Sequence, residues 1–118
     1  MIIVHGSKDC GNSPRNTFVQ QIAVALETGR IAPEDFSESV IWESGSGQKV
    51  IGRQVMTEKL AARPTPATLT IEHAISHGKT GVACGQLTFA NGETRRFCYV
   101  FIFTSVKARC VSMIKSYI

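Results

Sequence analysis

The sequence has no hydrophobic run near the length of about 18 residues that a membrane-spanning helix needs. It also has little excess charge of one sign: the net charge is +4, and the longest basic run is the pair Arg95 and Arg96. Scattered basic residues are typical of a solvated surface, whereas nucleic-acid binding needs a denser basic stripe. We therefore expect neither a membrane nor a nucleic acid as a partner. The segment "MIIVHG" is too short for a signal peptide, so we expect a cytoplasmic location.

Cysteine is sparse, and no two cysteines have the Cys-x-x-Cys spacing of zinc and redox sites. The four cysteines are Cys10, Cys84, Cys98 and Cys110. In a reducing compartment we expect them to be free thiols. The histidines also lack metal-ligand spacing to nearby carboxylates, so we expect neither a metal nor another cofactor.

Composition predicts a folded globular protein. Of the 118 residues, 43% are hydrophobic and 19% are charged, which is typical of a domain with one core. No repeat, low-complexity stretch or linker divides the chain. We therefore predict a single domain over 1–118.

The segment "DCGNSPRN" resembles a phosphate-binding loop, but its spacing favours a helix start. Cys10 and Arg15 have four residues between them, whereas a Cys-x5-Arg phosphatase loop needs five. Ser13 is a good N-cap, and Pro14 suits the first helical position because its missing N–H needs no partner there. Gly29 predicts the end of this helix. Its apolar stripe consists of Phe18, Ile22, Ala25 and Leu26.

The rest of the first half predicts a helical turn over 33–36, a strand over 39–43 and a second helix over 54–62. From Thr68 the hydrophobic period changes to two, which predicts strands. Two-residue turns at Gly78-Lys79 and Asn91-Gly92 would join these strands as hairpins. Together with a last strand, they predict a four-stranded antiparallel meander covered by the helices.

Hairpin register predicts which side chains share a face of this meander. It places one polar row across the inner face: His73, Cys84, Tyr99 and Ser112. Apolar residues expected around this row are Ile71, Ile75, Val82, Phe97, Phe101 and Phe103. The predicted outer face carries Ala74, Ala83, Gly85, Val100, Ile102, Val111 and Met113. Because that face is too apolar for free solvent, we expect a second copy of the chain to cover it.

This order of elements resembles the nuclear transport factor 2-like superfamily, and within it the small bacterial SnoaL-like proteins. The segments that carry the resemblance are "CGNSPRN", "VIWE", "IEHAISHGKTGVACGQL", "ANGETRRFCYVFIF" and "MIKSYI". The resemblance implies an α+β, cystatin-like cone in which N-terminal helices pack on a strongly curved antiparallel sheet and enclose a pocket. It also implies a homodimer, often formed through the sheet. The superfamily includes isomerases, polyketide cyclases, epoxide hydrolases, dehydratases and noncatalytic proteins, so it selects no reaction.

The match to the steroid isomerases of this superfamily is partial. Their buried acid on the third meander strand corresponds to Tyr99, and their general base corresponds to a position near Glu43. Their helix tyrosine corresponds to a position near Ile22, which cannot donate a hydrogen bond. Tyr99 can still donate one to an oxyanion.

His73, Tyr99 and Glu43 are the candidate catalytic residues. His73 would act as a general acid and base in a half-dry pocket, or be a core histidine bonded to Tyr99. Cys84 beside it is either a nucleophile or a small buried hydrophobic residue. The expected ligand-binding residues are Arg15, Phe18, Trp42, Cys84, Phe97, Phe101 and Ser112.

Two functions remain open at this point. The first is binding of a small, largely apolar molecule in the cone, with cofactor-free isomerase, cyclase or hydratase chemistry by His73 and Tyr99. The second is a noncatalytic ligand-binding or dimeric interaction module. The placement of the N-terminal segment 1–12 is also open, since it fits a sheet edge, the pocket mouth or a partner subunit.

Overall fold

The computed structural model describes residues 2–107 and 109–117. Two helices, one short 3-10 turn and seven strands follow one another along the chain. They are β1 (Ile3–His5), α1 (Pro14–Thr28), the turn Pro33–Asp35, β2 (Phe36–Ser44), β3 (Lys49–Ile51), α2 (Arg53–Ala61), β4 (Thr68–His77), β5 (Thr80–Thr88), β6 (Thr94–Phe103) and β7 (Val111–Tyr117).

The strands form one unclosed sheet in the order β1-β4-β5-β6-β7-β2-β3. The predicted meander is its centre, and the predicted α+β architecture of helices on a curved sheet is confirmed. The sheet is mixed at its ends, because β1 runs parallel to β4 and β2 runs parallel to β7. The N-terminal segment, from residue 2 onward, therefore begins at a sheet edge; Met1 lies outside the described residues.

Helix α1 begins and ends where its local sequence predicts. The Ser13 side chain accepts a hydrogen bond from the Asn16 N–H at 3.2 Å. Gly29 ends the helix in the left-handed conformation with φ of 73°, which glycine adopts without a steric penalty. The helix buries Val19, Ile22 and other apolar residues against the concave face of the sheet.

A β-bulge changes the predicted face assignment of β4. The Gly78-Lys79 turn does place His73 opposite Cys84, as expected. At Glu72 the register shifts, so Ile71 pairs with Gly85 rather than with Gln86. Glu72 is the extra residue of the bulge. Because of it, Ile71 and His73 lie on opposite faces of the sheet, although they are two positions apart.

The bulge divides the predicted inner residues of β4 and β5 between the two faces. Ile71 is buried on the concave face, whereas His73 and Ile75 lie on the convex face. Val82 lies on the convex face as well. Ala74 takes the inner position, so the prediction that His73 shares the inner face with Tyr99 is wrong.

The hairpin between β5 and β6 has a longer loop than predicted. Phe89 pairs with Glu93 across three loop residues, and Gly92 has a φ of 90°. This one-residue difference places Tyr99 opposite Ala83, and Cys84 opposite Cys98. The prediction that Cys84 and Tyr99 are directly opposed is therefore wrong.

The register of β7 also differs from the prediction. Tyr99 pairs with Ser116 rather than with Ser112. The Ser112 hydroxyl lies at a register shift and donates a hydrogen bond to the Ile102 carbonyl at 3.1 Å. The looser loop before β7 has no short turn motif, so the sequence does not define the register there.

The three phenylalanines of β6 and Tyr99 point into the core, as predicted. Four residues expected on the outer face are buried inside instead: Ala74, Ala83, Gly85 and Val111. Val100, Ile102 and Met113 do lie on the convex face, where they are half-buried. For Ala74, Ala83 and Gly85 the change follows from the longer β5–β6 loop, which shifts the alternation by one residue, and for Val111 it follows from the register of β7.

Candidate ligand-binding cleft

A cleft of about 590 Å³ opens between the β2–β3 hairpin, the C-terminal end of α2 and strands β6 and β7. Its apolar wall consists of Trp42, Val50, Ala62 and Pro64. Its polar lining consists of Ser44, Gln48, Lys59, Arg63, Arg95 and Ser116. We refer to this space as the cleft.

A narrow space of about 40 Å³ adjoins the deep end of the cleft. The two spaces share Trp42, Arg63, Arg95 and Ser116 as lining residues. The narrow space alone is lined by Glu27, Phe97, Tyr99 and Tyr117. The two arginines therefore stand between the open cleft and a buried carboxylate.

Glu27 is the buried acid of the site, with 2% of its side chain exposed. Arg95 donates a hydrogen bond to its Oε2 at 2.8 Å, and Arg63 forms an ion pair with the same oxygen at 3.6 Å. The Tyr99 hydroxyl donates a short hydrogen bond to Oε1. Every carboxylate oxygen thus has a partner, which a buried charge requires.

The buried surroundings shift the ionisation of two groups. Burial, followed by the nearby Glu27 carboxylate, raises the pKa of Tyr99 well above its usual range. Tyr99 is therefore a neutral hydrogen-bond donor at ordinary pH. Burial alone would lower the pKa of Arg63, but the oxygens of Tyr99 and Glu27 outweigh it, and that pKa is raised.

Two guanidinium nitrogens at the site are buried without a hydrogen-bond partner among residues 2–107 and 109–117. They are Nη1 of Arg63 and Nε of Arg95. Glu27 uses other nitrogens of both side chains. The site therefore has spare donors on two cationic groups that line the cleft.

Trp42 forms a fixed wall of the cleft. Its Nε1 donates to the Ser116 hydroxyl at 3.1 Å, and the Arg63 guanidinium carbon lies 5.7 Å from the ring centroid. This distance is within the range of a cation–π interaction. The indole thus holds both Arg63 and one side of the space in place.

The structure brings three of the sequence-predicted residues together around the two spaces: Trp42, Phe97 and Tyr99. His73 lies elsewhere, on the convex face with 65% of its side chain exposed and its Nδ1 3.1 Å from Asp9. Cys84 is opposite His73 on that same face. Neither of these two residues lines the cleft.

The other predicted residues have contacts away from the cleft. Glu43 pairs with Lys49 at 3.8 Å, and Arg15 donates to the Gly78 carbonyl. Phe18 packs against Phe103 with ring centroids 6.0 Å apart. Phe101 is fully buried in the core, and Ser112 bonds to the β6 backbone.

The charged residues of the site were not predicted from the sequence. Glu27 follows Val19 and Ala23 at four-residue steps, so a carboxylate stands on the buried stripe of α1. Arg95 precedes Phe97 and Tyr99 at two-residue steps, which places it on the inner face of β6. In both α1 and β6, a charged residue occupies a position where the periodicity predicts a buried apolar one, and this could have identified the site. Arg63 follows α2 in a loop and had no such signal.

Among the described residues, no group of three or more His, Cys, Asp or Glu side chains is arranged to hold a metal ion. In the same residues, neither helix has the length and hydrophobicity needed to cross a membrane. The donor atoms of the site suit an organic ligand or an anion.

Comparison with known proteins identifies the fold. No protein-family model matches the chain, and no curated protein matches it. Solved structures do match over most of its length. A protein of unknown function from Mesorhizobium loti, described as nuclear transport factor 2-like, has a TM-score of 0.69 at 15% identity, covering 98% of each chain.

Two further solved structures have the same architecture. A nuclear transport factor 2-like protein of unknown function from Burkholderia xenovorans has a TM-score of 0.70 at 15% identity, over 87% of this chain and 84% of that one. An LEH-like epoxide hydrolase from M. tuberculosis has a TM-score of 0.66 at 13% identity, over 87% and 80%. At these identities the likeness concerns the fold, and the chain therefore has the nuclear transport factor 2-like fold that its sequence predicts.

Proposed function

We propose that the protein binds a small organic molecule in the cleft, and that this molecule joins an apolar body to an anionic group such as a carboxylate. The observation that carries the proposal is the pair of buried, unpartnered nitrogens on Arg63 and Arg95. Buried donors without partners cost about 1–3 kcal/mol each, so a ligand acceptor that meets them gains that amount.

The charge balance of the site favours an anion. Arg63, Arg95 and Lys59 line the cleft, and Glu27 compensates only one of these positive charges. Hydrogen bonds between an arginine and a carboxylate are about twice as strong as neutral ones. The site thus discriminates an anionic ligand from a neutral one of the same shape.

The remaining lining favours an apolar body. Trp42, Val50, Ala62 and Pro64 form the apolar wall of the cleft. A volume of about 590 Å³ lies within the range of small-molecule sites, roughly 300–1,000 Å³. This part of the proposal agrees with the sequence-based expectation of a largely apolar ligand.

Trp42 provides a direct assay, because it is the one tryptophan of the chain. The probes are adamantane-1-carboxylate and its neutral amide, which share one apolar body. We expect a saturable change in Trp42 fluorescence with the carboxylate and about tenfold weaker binding of the amide, which corresponds to about 1.4 kcal/mol. Absence of saturable binding by either probe would contradict the proposal.

Neighbouring arginines supply matched variants for this assay. Arg95→Gln should weaken carboxylate binding at least tenfold, whereas Arg96→Gln, on the opposite face of β6, should leave it unchanged. Circular dichroism of both variants checks that they are folded. Equal effects of the two substitutions would show that the carboxylate does not bind at Arg95.

A second candidate function is water addition or hydrolysis in the narrow space. Its volume of about 40 Å³ is sufficient for one water molecule beside Glu27 and Tyr99. Glu27 would take a proton from this water, which then attacks an electrophilic carbon of the ligand. This reaction needs no cofactor, as expected from the sequence, but Glu27 takes the acid–base role expected for His73 and Glu43.

The test of this chemistry is conversion of 3-phenylglycidate, an epoxide that carries a carboxylate, in ¹⁸O-labelled water. The reaction adds one water across the epoxide and gives a diol with one labelled hydroxyl. Tyr99→Phe should slow it at least tenfold, while Arg96→Gln on the convex face should not. Binding of 3-phenylglycidate without turnover would leave the binding module as the function.

A homodimer through the convex face remains a proposal. The exposed Ile75 and the half-buried Val100, Ile102 and Met113 lie on that face and support it. Light scattering coupled to size exclusion should give the mass of two chains, and Ile102→Lys should reduce it to one. A wild-type monomer would contradict the dimer.

Two finer expectations also remain proposals. One is the resemblance to SnoaL-like proteins within the fold, and the other is a cytoplasmic location. Free thiols at all four cysteines support the second.

A further inference from the structure

Cys84 and Cys98 face each other across strands β5 and β6, near the centre of the convex face. Both are free and half-buried. The β5–β6 ladder has no register shift between this pair and the hairpin loop. The backbone pattern at the pair can therefore be followed from the loop.

Loop contacts show which residues of β5 hydrogen-bond to β6. The Phe89 N–H donates to the Glu93 carbonyl at 2.8 Å, so Phe89 directs its backbone groups toward β6. Every second residue before it does the same, which includes Gly85 and Ala83. Cys84 lies between them, so Cys84 and Cys98 form a non-hydrogen-bonded pair.

Such a pair has the spacing that a disulfide needs. Cα atoms of non-hydrogen-bonded pairs lie about 4.5 Å apart, and their side chains approach closely. A disulfide joins Cα atoms about 4.4–6.8 Å apart, so this pair lies at the short end of the range. Burial raises the pKa of the Cys98 thiol, and the nearby Cys84 thiol raises it further.

The pair is accessible from a shallow depression of about 310 Å³. Cys84, Cys98, Glu72 and Arg96 are among its lining residues. Arg96 has 74% of its side chain exposed and pairs with Glu72 at 3.2 Å, so the rim carries one charge of each sign. A small disulfide can thus reach both sulfur atoms in a chain whose convex face is not covered by a second copy.

We propose that Cys84 and Cys98 form a reversible redox pair that is oxidised by small disulfides of the glutathione type. The Cys84 thiolate attacks one sulfur of the oxidant and releases one thiolate, which gives a mixed disulfide on Cys84. The Cys98 thiolate then attacks the Cys84 sulfur, forms the Cys84–Cys98 bond and releases the second thiolate. Overall, two protein thiols and one small disulfide give one protein disulfide and two small thiols.

The depression makes this bond accessible to small thiols, and exposed disulfides are among the labile ones. An excess of reduced glutathione should therefore restore the two thiols. This reversibility distinguishes the pair from a structural disulfide.

The experiment treats the folded chain with oxidised glutathione and counts free thiols with a maleimide. We expect the count to fall from four to two and to return to four with reduced glutathione. Tryptic digestion without reductant should give residues 80–95 joined to residues 97–107. Four remaining thiols, or a covalent link between two chains, would overturn the proposal.

Single-cysteine variants test the order of steps. Cys98→Ser should stop at one glutathione adduct on Cys84, because the second thiol is missing. Cys110→Ser should still form the joined peptides, with one thiol left out of three. Loss of the joined peptides in Cys110→Ser, or absence of a glutathione adduct on Cys84 in Cys98→Ser, would contradict the assignment. Circular dichroism verifies the fold of each variant.

Discussion

Arg95 and Arg96 are adjacent on β6, and each binds a glutamate, yet they belong to two different environments. Arg95 lies on the concave side and bonds at 2.8 Å to Glu27, whose side chain is 2% exposed. Arg96 lies on the convex side and bonds at 3.2 Å to Glu72, which is 42% exposed. The residue types are identical, so the difference between these pairs comes from burial and from the further contacts of Glu27 with Arg63 and Tyr99.

Burial determines how much stability is lost when one partner of an ion pair is removed. The exposed pair is solvated in both the folded and unfolded chain, and such pairs contribute about 0–1 kcal/mol. The buried pair must hold its charges away from water, so removal of one partner leaves the other unsatisfied. We therefore expect substitutions in the concave-side pair to destabilise the protein more than substitutions in the convex-side pair.

Gly85→Ala should give the largest stability difference between the two faces. A Cβ at Gly85 would lie 2.0 Å from the Thr70 carbonyl oxygen and 2.9 Å from the Phe97 ring. We expect a loss of about 4 kcal/mol or more, because backbone cannot move aside as a side chain can. Cys84→Ala, one residue away on the convex face, should cost less than about 1 kcal/mol. Urea unfolding measures both, and similar midpoints would contradict the face assignment.

Glu27→Gln should have the next largest effect. The substitution keeps the shape but leaves Arg63 and Arg95 without a charged partner, which costs about 3 kcal/mol for a buried group. Glu72→Gln on the convex side is the control and should cost about 0.5 kcal/mol. Thermal unfolding compares the two, and a cost at Glu27 as small as the control's would show that its carboxylate is not structurally required.

Tyr99→Phe should have the smallest of these effects near neutral pH. It removes one hydrogen bond to a charged acceptor, which contributes about 2 kcal/mol. Tyr117→Phe is the control, because 48% of Tyr117 is exposed. Urea unfolding near pH 8 should separate the two variants.

The pH dependence of Tyr99 sharpens the comparison. Its folded-state pKa is raised above the unfolded value of about 10, so the stabilisation is fully present below about pH 10. Stability is lost as the pH rises from there through the folded-state pKa. The difference in unfolding free energy between wild type and Tyr99→Phe should therefore shrink above about pH 10. A constant difference up to about pH 12 would contradict the raised pKa.

Local signals predicted the helix α1 and the centre of the sheet. Ser13, Pro14 and Gly29 define α1 because capping and backbone preference act over only a few residues. The Gly78-Lys79 turn defined the pairing of its own hairpin as far as His73 for the same reason. The short strand β3 and the parallel edge strand β1 were not predicted, because three residues carry too little periodicity.

The candidate site was predicted only in part, since two small changes of register moved its members. The three-residue loop moved Cys84, and with it His73, to the face opposite Tyr99, and the bulge at Glu72 returned Ile71 to the concave face. Because strand side chains alternate, a shift of one residue exchanges the two faces. Tyr99 stayed inside because the aromatic alternation of β6 does not depend on either change.

The sequence by itself determined the α+β class, the ends of α1, the hairpin order and the inward face of β6. These features depend on capping, turns and periodicity within one or two elements. Only the tertiary structure brought Glu27 of α1 to Tyr99 and Arg95 of β6, and Arg63 to Trp42. These contacts join residues 21 to 72 positions apart, and long-range contacts depend on the packing of the whole sheet against its helices.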